Sequence, residues 1–152
     1  MTKLFITLLS FSLLLFFYGS CRSTKYQSPT DFPDRQIIFG SGGGIAGLVK
    51  TYTLLENGQL FKSSTMDSTY TALKASDKKR VSQVFNNYTF MGIDKINMNA
   101  PGNMYYFIEY KDKEDKEAKV HKITWGLGES PQEEANLNLF YSQLLSLVPK
   151  SK

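Results

Sequence analysis

The sequence predicts an α+β fold, a single domain in which an antiparallel β-sheet built from hairpins carries two helices on one face. Three observations predict it. Runs rich in β-branched and aromatic residues come in pairs separated by turn signals. Apolar residues recur at i, i+3, i+4, i+7 in two segments, around residues 81–88 and 137–148. Those helical segments fall between and after the strand pairs rather than alternating with single strands, which disfavours a parallel α/β sheet.

The elements follow in chain order. Lys3 precedes an uncharged run from Leu4 to Tyr18, and Gly19, Ser20 and Cys21 come next. A basic start, a short apolar run and small residues make residues 1–20 a secretory signal peptide. The run falls short of the roughly 20 apolar residues a bilayer span requires. Residues 21–35 are polar, contain two prolines and show no periodicity, so they read as a flexible tether to a domain spanning 36–150. QIIFGS opens that domain as a strand and runs into glycines. Leu48–Leu55 and QLFKSS form a hairpin around Glu56-Asn57-Gly58, because Asn-Gly between strand-like runs is a strong hairpin signal. A further strand is expected over Tyr70–Lys74.

Ser76 is the expected cap of the first helix, with Asp77 in its first turn and Val81, Val84, Phe85 and Tyr88 on its inner face. MGIDKINMNAPGN is an irregular connection that turns at Pro101-Gly102. Met104–Tyr110 is apolar at both parities, as in a central strand. The charged stretch KDKEDKEAK turns the chain, and VHKITWG returns with His121, Ile123 and Trp125 on one face. Ser130-Pro131-Gln132-Glu133 forms a capping box for the last helix, whose inward stripe is Leu137, Phe140, Tyr141, Leu144 and Val148.

Gly42, Gly44 and Gly47 spell G-x-G-x-x-G within GSGGGIAG. A dinucleotide fingerprint needs a helix after the glycines, whereas a strand-like run follows here; a Walker loop needs lysine where Leu48 stands. Neither nucleotide nor cofactor is therefore expected. The run reads as the corner where one edge strand turns into the next, with glycines supplying positive φ and bulge geometry. It also reads as a recognition loop with Ile45 as its apolar tip. The candidate partner-binding residues are Ser41, Gly42, Gly43, Gly44, Ile45, Ala46 and Gly47, together with Pro101, Gly102 and Asn103.

Two resemblances add to this. Cys21, the only cysteine, follows Gly19-Ser20 as in a bacterial lipoprotein lipobox, with Tyr18 where leucine is usual. That resemblance implies that Cys21 is lipidated, becomes the mature N-terminus and anchors the chain in the cell envelope, in either membrane. SGGGIAG followed by a strand resembles the S-G-G-F-A-G opening of emfourin-like proteins, small bacterial domains whose characterised members inhibit thermolysin-type metalloproteases. Ile45 stands where those proteins usually carry phenylalanine. FGSGGG and PGNMYYFIEY are also similar to segments of exported Bacteroidetes-type proteins, a likeness that carries no function with it.

Catalytic chemistry finds little support. His121 is the only histidine. It could act with Glu109 if the hairpin register places residues summing to 230 opposite each other, whereas a sum of 229 would put Ile108 there. No activated nucleophile accompanies either pairing. Zinc-type ligand pairs are missing, and the acidic run Asp112, Glu114, Asp115, Glu117 is interleaved with lysine and reads as a solvated tip. Removing Lys3 with the signal leaves 17 Lys and Arg against 14 Asp and Glu, too mild a balance for nucleic acid. Tyr105, Tyr106, Phe107, Tyr110 and Trp125 read as core, or as a surface for protein or glycan if one sheet face is uncovered. The function expected is a non-enzymatic, lipid-anchored binding module whose partner is an envelope protein, either a protease or a toxin. The alternatives are an envelope hydrolase using His121 and Glu109, and a structural lipoprotein without a discrete site.

Overall fold

In the computed structural model, residues 25–112, 119–126 and 131–150 are described. The signal peptide, Cys21, the hairpin tip with Glu114, Asp115 and Glu117, and the Ser130 cap lie outside the described residues, as does the side chain of Glu133.

Seven strands form one sheet. They are β1 (Gln36–Gly43), β2 (Lys50–Leu55), β3 (Leu60–Ser64), β4 (Asp67–Ala72), β5 (Asn99–Ala100), β6 (Met104–Asp112) and β7 (Lys119–Gly126), in the order β4-β3-β2-β1-β6-β7-β5. Neighbours pair antiparallel except β5, which lies parallel to β7. This departs from a purely antiparallel sheet because β5 arrives from a helix rather than a hairpin, and Thr124 N–H reaches across to the Met98 carbonyl at 2.9 Å. The glycine strand is also not an edge strand. β1 stands at the centre, flanked by β2 and β6. The last hairpin strand covers Asp67–Ala72 instead of Tyr70–Lys74, because the chain turns already at Thr65-Met66.

Helix α1 (Lys78–Phe90) and helix α2 (Pro131–Leu145) pack on one face of this sheet. The α1 cap is Asp77, not Ser76: the Asp77 carboxylate accepts from Arg80 N–H at 3.1 Å. Ser76 is committed elsewhere, its N–H donating to the Gly58 carbonyl and its hydroxyl to the Leu147 carbonyl. Gly92, at φ 72, ends α1 in the left-handed region that favours glycine.

The core lies between helices and sheet. Ile37, Phe39, Leu54, Leu60, Ile108, Ile123 and Trp125 meet Val81, Val84, Phe85 and Tyr88 of α1 and Leu137, Phe140, Tyr141 and Leu144 of α2. Each such side chain contributes about 1.5–3 kcal/mol on burial. Val148 packs only partly against this core, and Leu147, one residue earlier in the turn after α2, is the buried one.

The other face of the sheet carries a smaller cluster of Phe32, Leu55 and Phe61, with Tyr26 against it. Residues 26–35 are therefore seated rather than free, contrary to the tether reading. Phe32 provides the apolar anchor, and Tyr26 exchanges two hydrogen bonds with the Gln59 amide, at 2.9 and 3.0 Å. The buried Gln36 amide donates to the carbonyls of Pro29 and Phe32. Arg35 pairs with Glu56 and lies 5.6 Å over the Phe85 ring.

Candidate functional site

The glycine run divides into a strand half and a turn half. Gly40 and Gly42 lie in β1 on the face away from the helices, opposite Phe107 and Tyr105 of β6. A methyl group on Gly40 would meet the Lys50 carbonyl oxygen at 2.0 Å and the Phe107 ring at 2.8 Å. One on Gly42 would meet the Tyr105 ring at 2.7 Å. These glycines thus give the two aromatic rings room to lean over β1. Ser41, between them, points the other way, and its hydroxyl meets that of Tyr141. Ser41 and the buried Gly42 are sheet residues, and so is Gly43, at φ 105 beside the Asn103 carbonyl.

The turn begins at Gly44. Gly44 and Gly47 adopt φ 74 and 57, and Gly47 N–H donates to the Gly44 carbonyl at 3.1 Å. Gly44 N–H donates to the Asn103 carbonyl at 2.9 Å, so the turn containing Ile45, Ala46 and Gly47 is tied to the one containing Pro101, Gly102 and Asn103. Pairing of Gly43 with Met104 brings them together. Gly126 seats the second turn, since a methyl group there would lie 2.6 Å from Gly102 N.

Ile45 is fully exposed at this end of the sheet, and Leu48 and Met104 are about half exposed. The turn after β3 joins them, with Thr65 N–H donating to the Val49 carbonyl at 3.1 Å and Met66 largely exposed. Sequence reasoning found Ile45 but missed Leu48, Met66 and Met104. Their available signal was a single apolar residue bordering each turn, with no periodicity behind it.

The opposite end of the sheet holds His121. The hairpin register sums to 231, not 230 or 229: His121 stands opposite Tyr110, and Glu109 opposite Lys122. Successive strand residues alternate faces, so Glu109 and His121 lie on opposite sides of the sheet. The acid–base pair envisaged from the sequence is not assembled. His121 Nε2–H instead donates to the Ile96 carbonyl at 2.9 Å, which leaves Nδ1 to accept from the Tyr88 hydroxyl. Tyr88 stacks on Tyr110 with ring centroids 4.3 Å apart and planes 8° from parallel. Burial pushes the Tyr88 phenol above its usual pKa, which keeps it a protonated donor. A cleft of about 300 Å³ opens here, with Asp94 and Asp112 at its walls. Both ring nitrogens of the histidine are thus engaged within the fold. Among the described residues no three His, Cys, Asp or Glu side chains gather so as to hold a metal ion.

The aromatic group splits by parity. Tyr106, Tyr110 and Trp125 belong to the helix face, where Trp125 Nε1–H donates to Asn138 and its ring centroid lies 5.7 Å from that of Tyr141. Tyr105 and Phe107 lie on the other face, their centroids 6.4 Å apart. None of the described helices is long and apolar enough to cross a membrane. Compared with known proteins, the chain matches no family model and no curated sequence.

Proposed function

We propose that this protein is a lipid-anchored binding module of the bacterial envelope that meets a protein partner through the turns at one end of its sheet. The observation carrying the reading is the Gly44–Asn103 hydrogen bond, which fixes two turns side by side with Ile45, Leu48 and Met104 exposed around them. Turns already held in place lose little freedom on binding, which favours affinity. Apolar side chains raised on such turns are suited to anchor in a partner's pockets, and burying Ile45 would contribute about 1.5–3 kcal/mol. Anchoring through Cys21 rests on the lipobox resemblance. The likeness to emfourin-like domains makes a thermolysin-type metalloprotease the most concrete partner, with an envelope toxin as the other class.

The test uses the mature chain with Cys21→Ser for solubility. Titrated against a thermolysin-type metalloprotease, it should inhibit at micromolar concentration, and Ile45→Asp should weaken inhibition at least tenfold with unchanged thermal stability. Undiminished protease activity removes the inhibitory version. A photo-crosslinker at position 45 in the native cell tests the wider reading. One captured protein, lost when Met104→Asp is added, supports it, and capture indifferent to that change defeats it.

A further inference from the structure

The sheet face away from the helices holds a cleft of about 380 Å³, floored by Phe107 and Tyr105 and bordered by Asn99, Pro101, Lys122 and Thr124. We infer that this cleft is a saccharide-binding site, and that its ligand is a sugar bearing a carboxylate. The proposal does not rest on the partner-binding reading given above.

Four features carry it. Among the described residues no helix covers this half of the face, and the seated N-terminal residues lie over β2 and β3 instead. The two rings lean over Gly40 and Gly42, tilted 46° to each other; Phe107 is almost entirely buried, and the half-buried Tyr105 is the ring against which the C–H groups of a sugar can pack. Around that floor, the side-chain polar groups of Asn99, Tyr105, Lys122 and Thr124 make no hydrogen bond to any described residue. The His121 cleft on the helix side is built the opposite way, with imidazole and phenol bonded to each other. An amide, two hydroxyls and an ammonium around aromatic rings suit sugar hydroxyls well, since each can meet a donor or acceptor as water leaves.

Charge selects the acidic class. Lys122 faces Glu109 across the strands, but Glu109 already pairs with Lys111 at 3.3 Å, so among the described residues this face carries a positive charge on Lys122 with no ion pair, beside the rings. A carboxylate would meet it in a charge-assisted hydrogen bond. A peptide fits less well. β5, the end strand beside the cleft, has two residues and so offers an added strand only a short ladder.

The test exposes the mature Cys21→Ser chain to a glycan array carrying uronic-acid, sialic-acid and muramic-acid oligosaccharides beside neutral ones, with hits quantified by calorimetry. The expected result is selective binding of acidic glycans. Tyr105→Ala and Lys122→Glu should each weaken it at least tenfold, and Ile45→Asp should leave it unchanged. Lys122 is exposed, so Lys122→Glu remains informative if Tyr105→Ala fails to fold. Absence of acidic-glycan binding overturns the proposal, as does binding that survives Lys122→Glu. Tight binding of an acidic hexapeptide instead of the glycans overturns it in favour of a peptide. Loss of glycan binding with retained protease inhibition, or the reverse, tells the two sites apart.

Discussion

The two faces of the sheet use the same strands in opposite ways. Toward the helices, aromatic and aliphatic side chains interlock, and the polar groups of Trp125, His121, Tyr88 and Ser41 all meet partners inside the fold. Toward the other side, one half is capped by Phe32 and its neighbours, and the other half leaves Tyr105 half-buried and Lys122 exposed beside a cleft. The helix side thus spends these polar groups on the fold itself, and the recognition proposed above would fall to the opposite face and to the turns at the sheet's end.

That contrast can be broken by mutation. The largest effect is expected from Phe140→Ala, which removes a side chain with no exposed surface and should cost about 3–5 kcal/mol, read from the denaturant midpoint. Phe32→Ala should shift that midpoint less while speeding proteolysis near residues 26–32, because it releases the cap without opening the helix-side core. Equal midpoint shifts would show that the two faces unfold as one unit.

Next in size is the difference between two glycines. Gly40→Ala forces a methyl group against the Lys50 carbonyl and the Phe107 ring and should cost about 3 kcal/mol. Gly47→Ala meets nothing within 4 Å and carries only the cost of φ 57, about 1 kcal/mol. Similar midpoints for the two variants would refute the division of the run into strand and turn.

The smallest effect is one of pH and belongs to the helix side alone. Burial raises the phenols of Tyr88, Tyr110 and Tyr141, the last to about 12. A phenol whose folded pKa exceeds its unfolded value of about 10 binds its proton more tightly in the folded chain. Its contribution is fully present below pH about 10 and is lost as pH rises through the folded value. The denaturant midpoint should hold steady from neutrality to about pH 10 and fall above it; a midpoint unchanged at higher pH would contradict this.

How much of this was legible in the sequence depends on whether a pattern repeats. Val81, Val84, Phe85 and Tyr88 announce a helix because four contacts share one spacing, and Asn57-Gly58 announces a hairpin because the turn demands those residues. β5 has two residues and no period, so its parallel pairing was invisible. The register of β6 on β7 was equally hidden, since the residues joining them are charged at both parities and favour no alignment. Phe32 was missed because two aromatic residues six apart, Tyr26 and Phe32, set no strand or helix period in a polar stretch. For the candidate site, Gly44–Gly47 and Pro101-Gly102 could each be recognised as turns, but their adjacency follows from the pairing of Gly43 with Met104, a relation between distant segments. The glycine strand went unread for a related reason. Gly40 and Gly42 answer to the rings of Phe107 and Tyr105, some sixty residues later in the chain.

The seating of Tyr26 also limits where the domain can work. If Cys21 carries the lipid, five peptide links separate it from Tyr26, which is bonded to Gln59, and they span at most about 17 Å. On so short a leash the domain could not sweep the space between membranes; it would meet only molecules that come within about a domain's width of the bilayer.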